Sequence, residues 1–132
     1  KIKSALKAGL KVIFCIGETL REKRNKKTKQ ILSKQIQVGL KSVNNNSKII
    51  IAYEPIWSIG SGIIPKPNDL IKSISFIKSK FVKKSPKILY GGSVNPNNID
   101  QIKNINTIDG FLIGGASQDP KKFIDIIKKT IN

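Results

Sequence analysis

Four short, unbroken apolar runs punctuate the chain: Val12–Ile16, Ile49–Tyr53, Ile88–Tyr90 and Gly110–Ile113. Runs this short that do not alternate with polar residues predict parallel strands buried on both faces of a sheet. After each of them the apolar positions switch to helical spacing. Leu32, Ile36, Leu40 and Val43 follow the first strand, behind a very polar stretch from Arg21 to Gln30; Leu70, Ile74, Ile77 and Phe81 follow the second. Asn95-Pro96 offers a cap and a first-turn proline to a short helix holding Ile99 and Ile102. Asp119-Pro120 does the same for a helix carrying Phe123, Ile126, Ile127 and Ile131. Ala5 and Leu6 ahead of Gly9 read as the tail of an earlier helix ending at a glycine cap. The lysine-rich run from Lys23 to Lys29 reads as a solvated helix start or loop. This is β-α four times over with nothing resembling a linker, which predicts a small open parallel sheet or half of a barrel.

The candidate chemistry sits at the strand ends. Glu54 follows the second apolar run, and the C-terminal end of a parallel strand is a good place for a general base. After it comes a segment that is apolar in the middle and closes on Gly60 and Gly62; carrying Trp57 and Ile59, it could fold over the carboxylate and exclude water. A plain strand and turn with Glu54 solvated is the alternative. Gly-Gly pairs end the next two strands, in Tyr90-Gly91-Gly92-Ser93 and Gly114-Gly115-Ala116-Ser117. Glycine lets backbone N–H groups approach an oxyanion with no side chain in the way, so two such turns on successive loops read as a phosphate cradle; tight turns alone are the rival explanation.

Composition narrows the class. The chain has 132 residues, enough for one domain with a modest core but well short of eight strands and eight helices. No apolar stretch nears the length of a membrane span, and Lys1-Ile2-Lys3 leads into an amphipathic segment rather than a signal sequence. A single cysteine, Cys15, cannot form an internal disulfide and fits a reducing, cytoplasmic setting. A chain without methionine that begins on lysine reads as a C-terminal piece of something longer. The formal charge of +17 raises nucleic acid as a partner. However, all but Arg21 and Arg24 of the 25 basic residues are lysine, spread along helical segments. That pattern favours solvated faces and weak, salt-sensitive sticking to polyanions over a dedicated nucleic-acid site.

Three motifs now identify a relationship. Tyr53-Glu54-Pro55-Ile56-Trp57-Ser58-Ile59-Gly60-Ser61-Gly62, Tyr90-Gly91-Gly92-Ser93-Val94 and Asp109-Gly110-Phe111-Leu112-Ile113-Gly114-Gly115-Ala116-Ser117 closely resemble the C-terminal half of the triosephosphate isomerase family. Cys15-Ile16-Gly17-Glu18-Thr19-Leu20 is similar to that family's fifth strand and following loop, so the resemblance runs through essentially the whole chain. It implies a partial (β/α)8 barrel, strands five to eight with their helices, with residues 1–132 forming the C-terminal half of one barrel domain.

The resemblance also implies an activity: interconversion of dihydroxyacetone phosphate and glyceraldehyde 3-phosphate, without cofactor or metal, in a protein that usually works as a homodimer. Glu54 is then the base, and Pro55, Ile56, Trp57, Ile59 and Ser61 belong to the lid, whose Gly60 amide meets the phosphate on closing. Ser93, Gly114 and Gly115 complete the phosphate cradle. Tyr90 and Ser93 hold the lid shut, and Leu112 presses on the glutamate and keeps water from it. Cys15 corresponds to a cysteine beside the site that mainly packs, and Glu18 makes a structural ion pair, or one that supports catalytic groups, at a strand end. The chain has no histidine, so the family's histidine electrophile and its lysine are expected from a complementary N-terminal half-barrel, without which the piece is inactive.

There are departures from the pattern. Ile63-Ile64-Pro65-Lys66 replaces a more polar stretch, Lys66 is a poor cap before Pro67, and the connection from Phe81 to Lys87 is short. A half-barrel of another phosphate-handling enzyme and a non-catalytic remnant are the rival readings.

Overall fold

In the computed structural model, which describes residues 1–43, 47–82 and 85–131, the four apolar runs lie side by side in chain order as one parallel sheet. The strands are β1 (Val12–Ile16), β2 (Ile49–Tyr53), β3 (Lys87–Tyr90) and β4 (Gly110–Phe111). Their register pairs Phe14 with Ile51 and Ile51 with Ile88; two residues on, Ile16, Tyr53, Tyr90 and Phe111 stand in line. Side chains alternate across a strand, so both rows face the same way. Helices α3 (Thr28–Gly39) and α4 (Pro67–Lys78) bring Leu32, Leu70, Ile74 and Ile77 to the core they share with those rows. All four are wholly buried, as are Ile51, Ile88 and Tyr90. Burying a side chain of this size stabilises by about 1.5–3 kcal/mol.

The other sheet face departs from the expectation of two covered faces. Ile13 is 48% exposed and Cys15 beside it is exposed, in line with Ala52, Leu89 and Gly110 of the neighbouring strands. Four parallel strands in sequential order, with the well-packed core on one face and a partly open apolar face on the other, have the arrangement of half an eight-stranded α/β barrel.

Local signals account for most element ends. Helix α1 (Ile2–Lys7) stops where the Gly9 amide donates to Leu6 O and the Leu10 amide to Ala5 O, the glycine cap expected. Thr19 caps the short α2 (Leu20–Arg24) reciprocally with Glu22, and Lys26, at φ 56°, breaks the chain before α3. Lys66 provides no side-chain cap to α4, as anticipated, and Pro67 takes the first position. Asp119 Oδ1 accepts the Lys121 and Lys122 amides at 3.0 and 3.3 Å at the head of α5 (Pro120–Ile131). Asp109 Oδ2 accepts the Ile88 amide at 2.8 Å and pairs with Lys78 at 3.1 Å, tying the end of α4 to the sheet.

Four elements differ from the sequence expectations, the first being α3, which ends at Gly39 and leaves Leu40 and Val43 beyond it. The helix after β3 is only a 3-10 turn, Ile99–Gln101, because Asn95 and Asn98 spend their side chains on nearby backbone. Asn95 Oδ1 accepts the Asn97 amide, Asn98 Oδ1 accepts the Asn95 amide and Asn98 Nδ2 donates to Ser93 O, each at 2.9 Å. Ile99 and Ile102 are nonetheless wholly buried. Strand β4 ends at Phe111; the Leu112 amide makes one last bond to Tyr90 O, and Ile113 has left the ladder. Helix α4 ends at Lys78, leaving Phe81 in the connection beyond it. Lys83 and Lys84 of the connection expected to be short lie outside the described residues.

Candidate active site

Glu54 occupies the first position past β2, with its backbone clamped on both sides. Its amide donates to Ile16 O at 2.8 Å, and the Gly91 amide donates to the preceding carbonyl, Tyr53 O, at 2.9 Å. Two glycines make this position possible. A Cβ on Gly17 would overlap the Glu54 carbonyl, and one on Gly91 would stand 2.7 Å from Glu54 Cγ and 2.8 Å from Oε1. The carboxylate faces an open cleft of about 830 Å³. Ile59, Gly60, Ser93, Leu112, Gly114 and Gly115 line that cleft with it. Residues from three successive strand ends, 61 positions apart at the extremes, thus surround one volume.

The segment after Glu54 is a compact loop over the rim. Pro55 is buried, the Ser58 amide donates to Pro55 O at 2.8 Å, and Ser61 returns both its amide and its hydroxyl to Ser58 O. Gly60 and Gly62 have φ of 67° and 77°, conformations that other residues adopt only with strain. The Gly62 amide donates to Ser93 Oγ at 3.1 Å, joining the far end of the loop to the Tyr90–Ser93 turn. Tyr90 OH lies 2.9 Å from Ser58 Oγ, and burial pushes this phenol up to about 12.

The apolar residues of the loop divide. Ile59 lines the cleft, whereas Ile56 is 54% exposed and outside it. Trp57 points away from Glu54: its Nε1 donates to Glu18 Oε1 at 3.0 Å, and Lys23 Nζ sits 3.6 Å from the ring centroid. Trp57 therefore anchors the loop rather than covering the carboxylate. Glu18 is 1% exposed and also accepts from Tyr53 OH at 3.1 Å. Its partners among the described residues are thus neutral donors, a correction to the ion pair expected of it. The Tyr53 phenol is driven far above its ordinary range, first by burial and then by the Glu18 charge.

Cys15 stands on the exposed sheet face instead of packing, a second correction. Its thiol is pushed up to about 11, chiefly by partial burial and then by hydrogen bonding to, and charge repulsion from, Glu54. A thiol so far above neutral pH is a poor nucleophile.

Sequence reasoning passed over Ser58, Gly91 and Lys122. Ser58 is wholly buried at the centre of the loop contacts, and Lys122 lines the cleft from the first turn of α5. Lys122 carried a signal, since two lysines and no acid in a helix's first turn oppose the helix dipole. A small hydroxyl between Trp57 and Ile59 carried none.

The sequence profile described as Triosephosphate isomerase matches residues 1–130. A curated triosephosphate isomerase of Thermodesulfovibrio yellowstonii is 45% identical over 134 residues, covering 97% of this chain and 54% of the relative. Those of Dictyoglomus thermophilum and Candida albicans are 44% and 41% identical, covering 97% and 99% of this chain and 55% of each relative. The chain spans about half the length of the curated relatives it matches. With a profile match over nearly every residue, the chain belongs to the triosephosphate isomerase family.

Proposed function

We propose that this chain supplies the base, the lid and the phosphate cradle of an isomerase that interconverts dihydroxyacetone phosphate and glyceraldehyde 3-phosphate. The observation that carries the reading is the shared cleft, in which Glu54 and the three glycine-rich turns face one another. Moving a proton between adjacent carbons of a triose phosphate needs a base beside the substrate, and Glu54 takes that part. The proton leaves the carbon next to the carbonyl, an enediolate forms, and the same carboxylate returns a proton to the neighbouring carbon. Ser93 and the amides of Gly60, Gly114 and Gly115 hold the phosphate, and Ile59 and Leu112 keep water from the carboxylate. Exclusion of water matters because an unprotected enediolate phosphate expels its phosphate group.

The developing oxyanion also needs an electrophile. This chain contains no histidine, so the reading assigns that group, with the family's lysine, to a complementary N-terminal half-barrel. The exposed apolar face around Ile13 and the unpaired outer edges of β1 and β4 are the surfaces on which such a half closes the barrel. Homodimers in the cytoplasm, as expected of the family, belong to the same reading. Among the described residues no helix is long and apolar enough to cross a membrane.

The test is isomerase turnover of the purified chain, alone and with a complementary first half, in native and Glu54→Gln forms. Turnover only in the assembly, lost in Glu54→Gln, is expected. Undiminished turnover in Glu54→Gln overturns the role of the base, and turnover by the chain alone overturns the need for a partner.

A further inference from the structure

Ser58 is wholly buried between the loop that follows Glu54 and the turn after β3, and its hydroxyl meets three other groups. Ser58 Oγ lies 2.6 Å from Ile63 O, 2.9 Å from Tyr90 OH and 3.2 Å from the Ser93 amide nitrogen. A serine hydroxyl has one hydrogen and two lone pairs. A carbonyl can only accept, so the hydrogen goes to Ile63 O. An amide can only donate, so one lone pair goes to Ser93. The remaining lone pair must then receive the Tyr90 hydroxyl hydrogen, and the hydroxyl is fully used. Through this one oxygen the middle of the loop, residue 58, and the chain just beyond it, residue 63, are bonded to the turn that carries Ser93.

The surroundings are shaped for that oxygen. A Cβ on Gly92 would overlap Tyr90 OH and stand 2.6 Å from Ser58 Oγ, so any larger residue there would displace the hydroxyl. The second clasp, Gly62 amide to Ser93 Oγ, lies at the outer edge of the same contact and is exposed, whereas the Ser58–Tyr90 contact is buried. Hydrogen bonds shielded from water hold geometry better than exposed ones.

We infer that Ser58 is a positioning residue: its hydroxyl holds the Pro55–Ser61 loop down on the Tyr90–Ser93 turn and so keeps Ile59 and Gly60 at the cleft beside Glu54. The inference rests on the isomerase reading for its effect on turnover, but not for its effect on the loop. Replacing Ser58 by alanine removes the hydroxyl without adding volume and strands Ile63 O, Tyr90 OH and the Ser93 amide at once.

Two measurements test it on the full chain. The first is amide hydrogen exchange, comparing native chain with Ser58→Ala. Exchange at Ser93 and Gly62 is expected to quicken about tenfold or more, the scale for losing buried hydrogen bonds, with β2 amides unchanged. Equal exchange at Ser93 and Gly62 in the two proteins overturns the inference, whatever the chain catalyses. Faster exchange throughout, β2 included, indicates general destabilisation and equally overturns it.

The second is turnover of triose phosphate in the assembled barrel, scored for isomerised product and for released inorganic phosphate. Ser58→Ala is expected to lower kcat about tenfold with a smaller change in KM and to raise the phosphate-releasing share of turnovers several-fold, because a loosened loop admits water. Tyr90→Phe added to Ser58→Ala is expected to cost little more, since its partner is already gone. Normal kcat and partition in Ser58→Ala overturn the inference and leave the isomerase reading standing. Absence of turnover in every native assembly sinks that reading, and the exchange experiment then decides the inference alone.

Discussion

Gly91→Ala separates the site from the fold more sharply than any other single change. The added Cβ would stand 2.7 Å from Glu54 Cγ, 2.8 Å from Oε1 and 3.1 Å from Cδ. Ordinary carbon–carbon contact begins near 3.5 Å, so the glutamate side chain must retreat by roughly 0.8 Å. Only a side chain has to yield, and turning it off its preferred angles costs about 1 kcal/mol. Displacing a catalytic group by about 1 Å costs on the order of 10²-fold in rate. The expected variant therefore folds almost normally and loses about two decades of kcat. Gly17→Ala is the contrast: its Cβ would run into the Glu54 carbonyl and approach Pro55 N to 3.0 Å, both backbone, so the strand ends must part. That variant should lose several kcal/mol of stability before any question of rate arises. Urea unfolding and steady-state turnover of the two, each assembled with a complementary half-barrel, provide the comparison. Full kcat in Gly91→Ala, or equal destabilisation by the two substitutions, would refute the placement of Glu54 against the β3 turn.

Other expectations follow from the same contacts. Glu18→Ala strands Trp57 Nε1 and Tyr53 OH, and should cost about 2–4 kcal/mol and shift emission of the single tryptophan to the red; unchanged fluorescence would contradict the anchoring contact. Cys15 has a folded value near 11 against an ordinary 9.0, so its neutral form favours folding. That contribution is whole below pH 9 and fades as pH rises toward 11, and Glu54→Gln should bring alkylation of the thiol to lower pH; an unmoved alkylation profile would break the link between the two groups. Lys122→Gln should weaken binding of inorganic phosphate about two- to fivefold and flatten its salt dependence, read by Trp57 fluorescence; equal affinity at low salt would remove Lys122 from the cleft's electrostatics.

Much of this molecule was written locally. Uninterrupted runs such as Ile49–Tyr53 and the helical spacing of Leu70, Ile74 and Ile77 act over a few residues, and each became the expected element. Asp119 ahead of Pro120 and the glycine after α1 end their helices through bonds spanning two to five positions, which is why they could be read without a structure. Glu54 was legible for the same reason, because a carboxylate at the close of a buried strand has few places to go. Local competition was harder to weigh: Asn95 and Asn98 offered their own backbone alternatives and reduced a helix to a single 3-10 turn.

Packing decided what the site can do. Ser58 finds Tyr90 32 positions away and Ser93 35 positions away, and Trp57 turns 39 positions back to Glu18 instead of over the cleft. No residue pattern announces such pairings, since they depend on which side chains the sheet register sets side by side. The uneven sheet likewise emerged only in three dimensions: the same strands that read as buried on both faces have a buried face at Ile51 and Tyr90 and an exposed one at Ile13 and Cys15. Apolar character along the chain states that a surface seeks cover; only the assembled fold states which surface has found it.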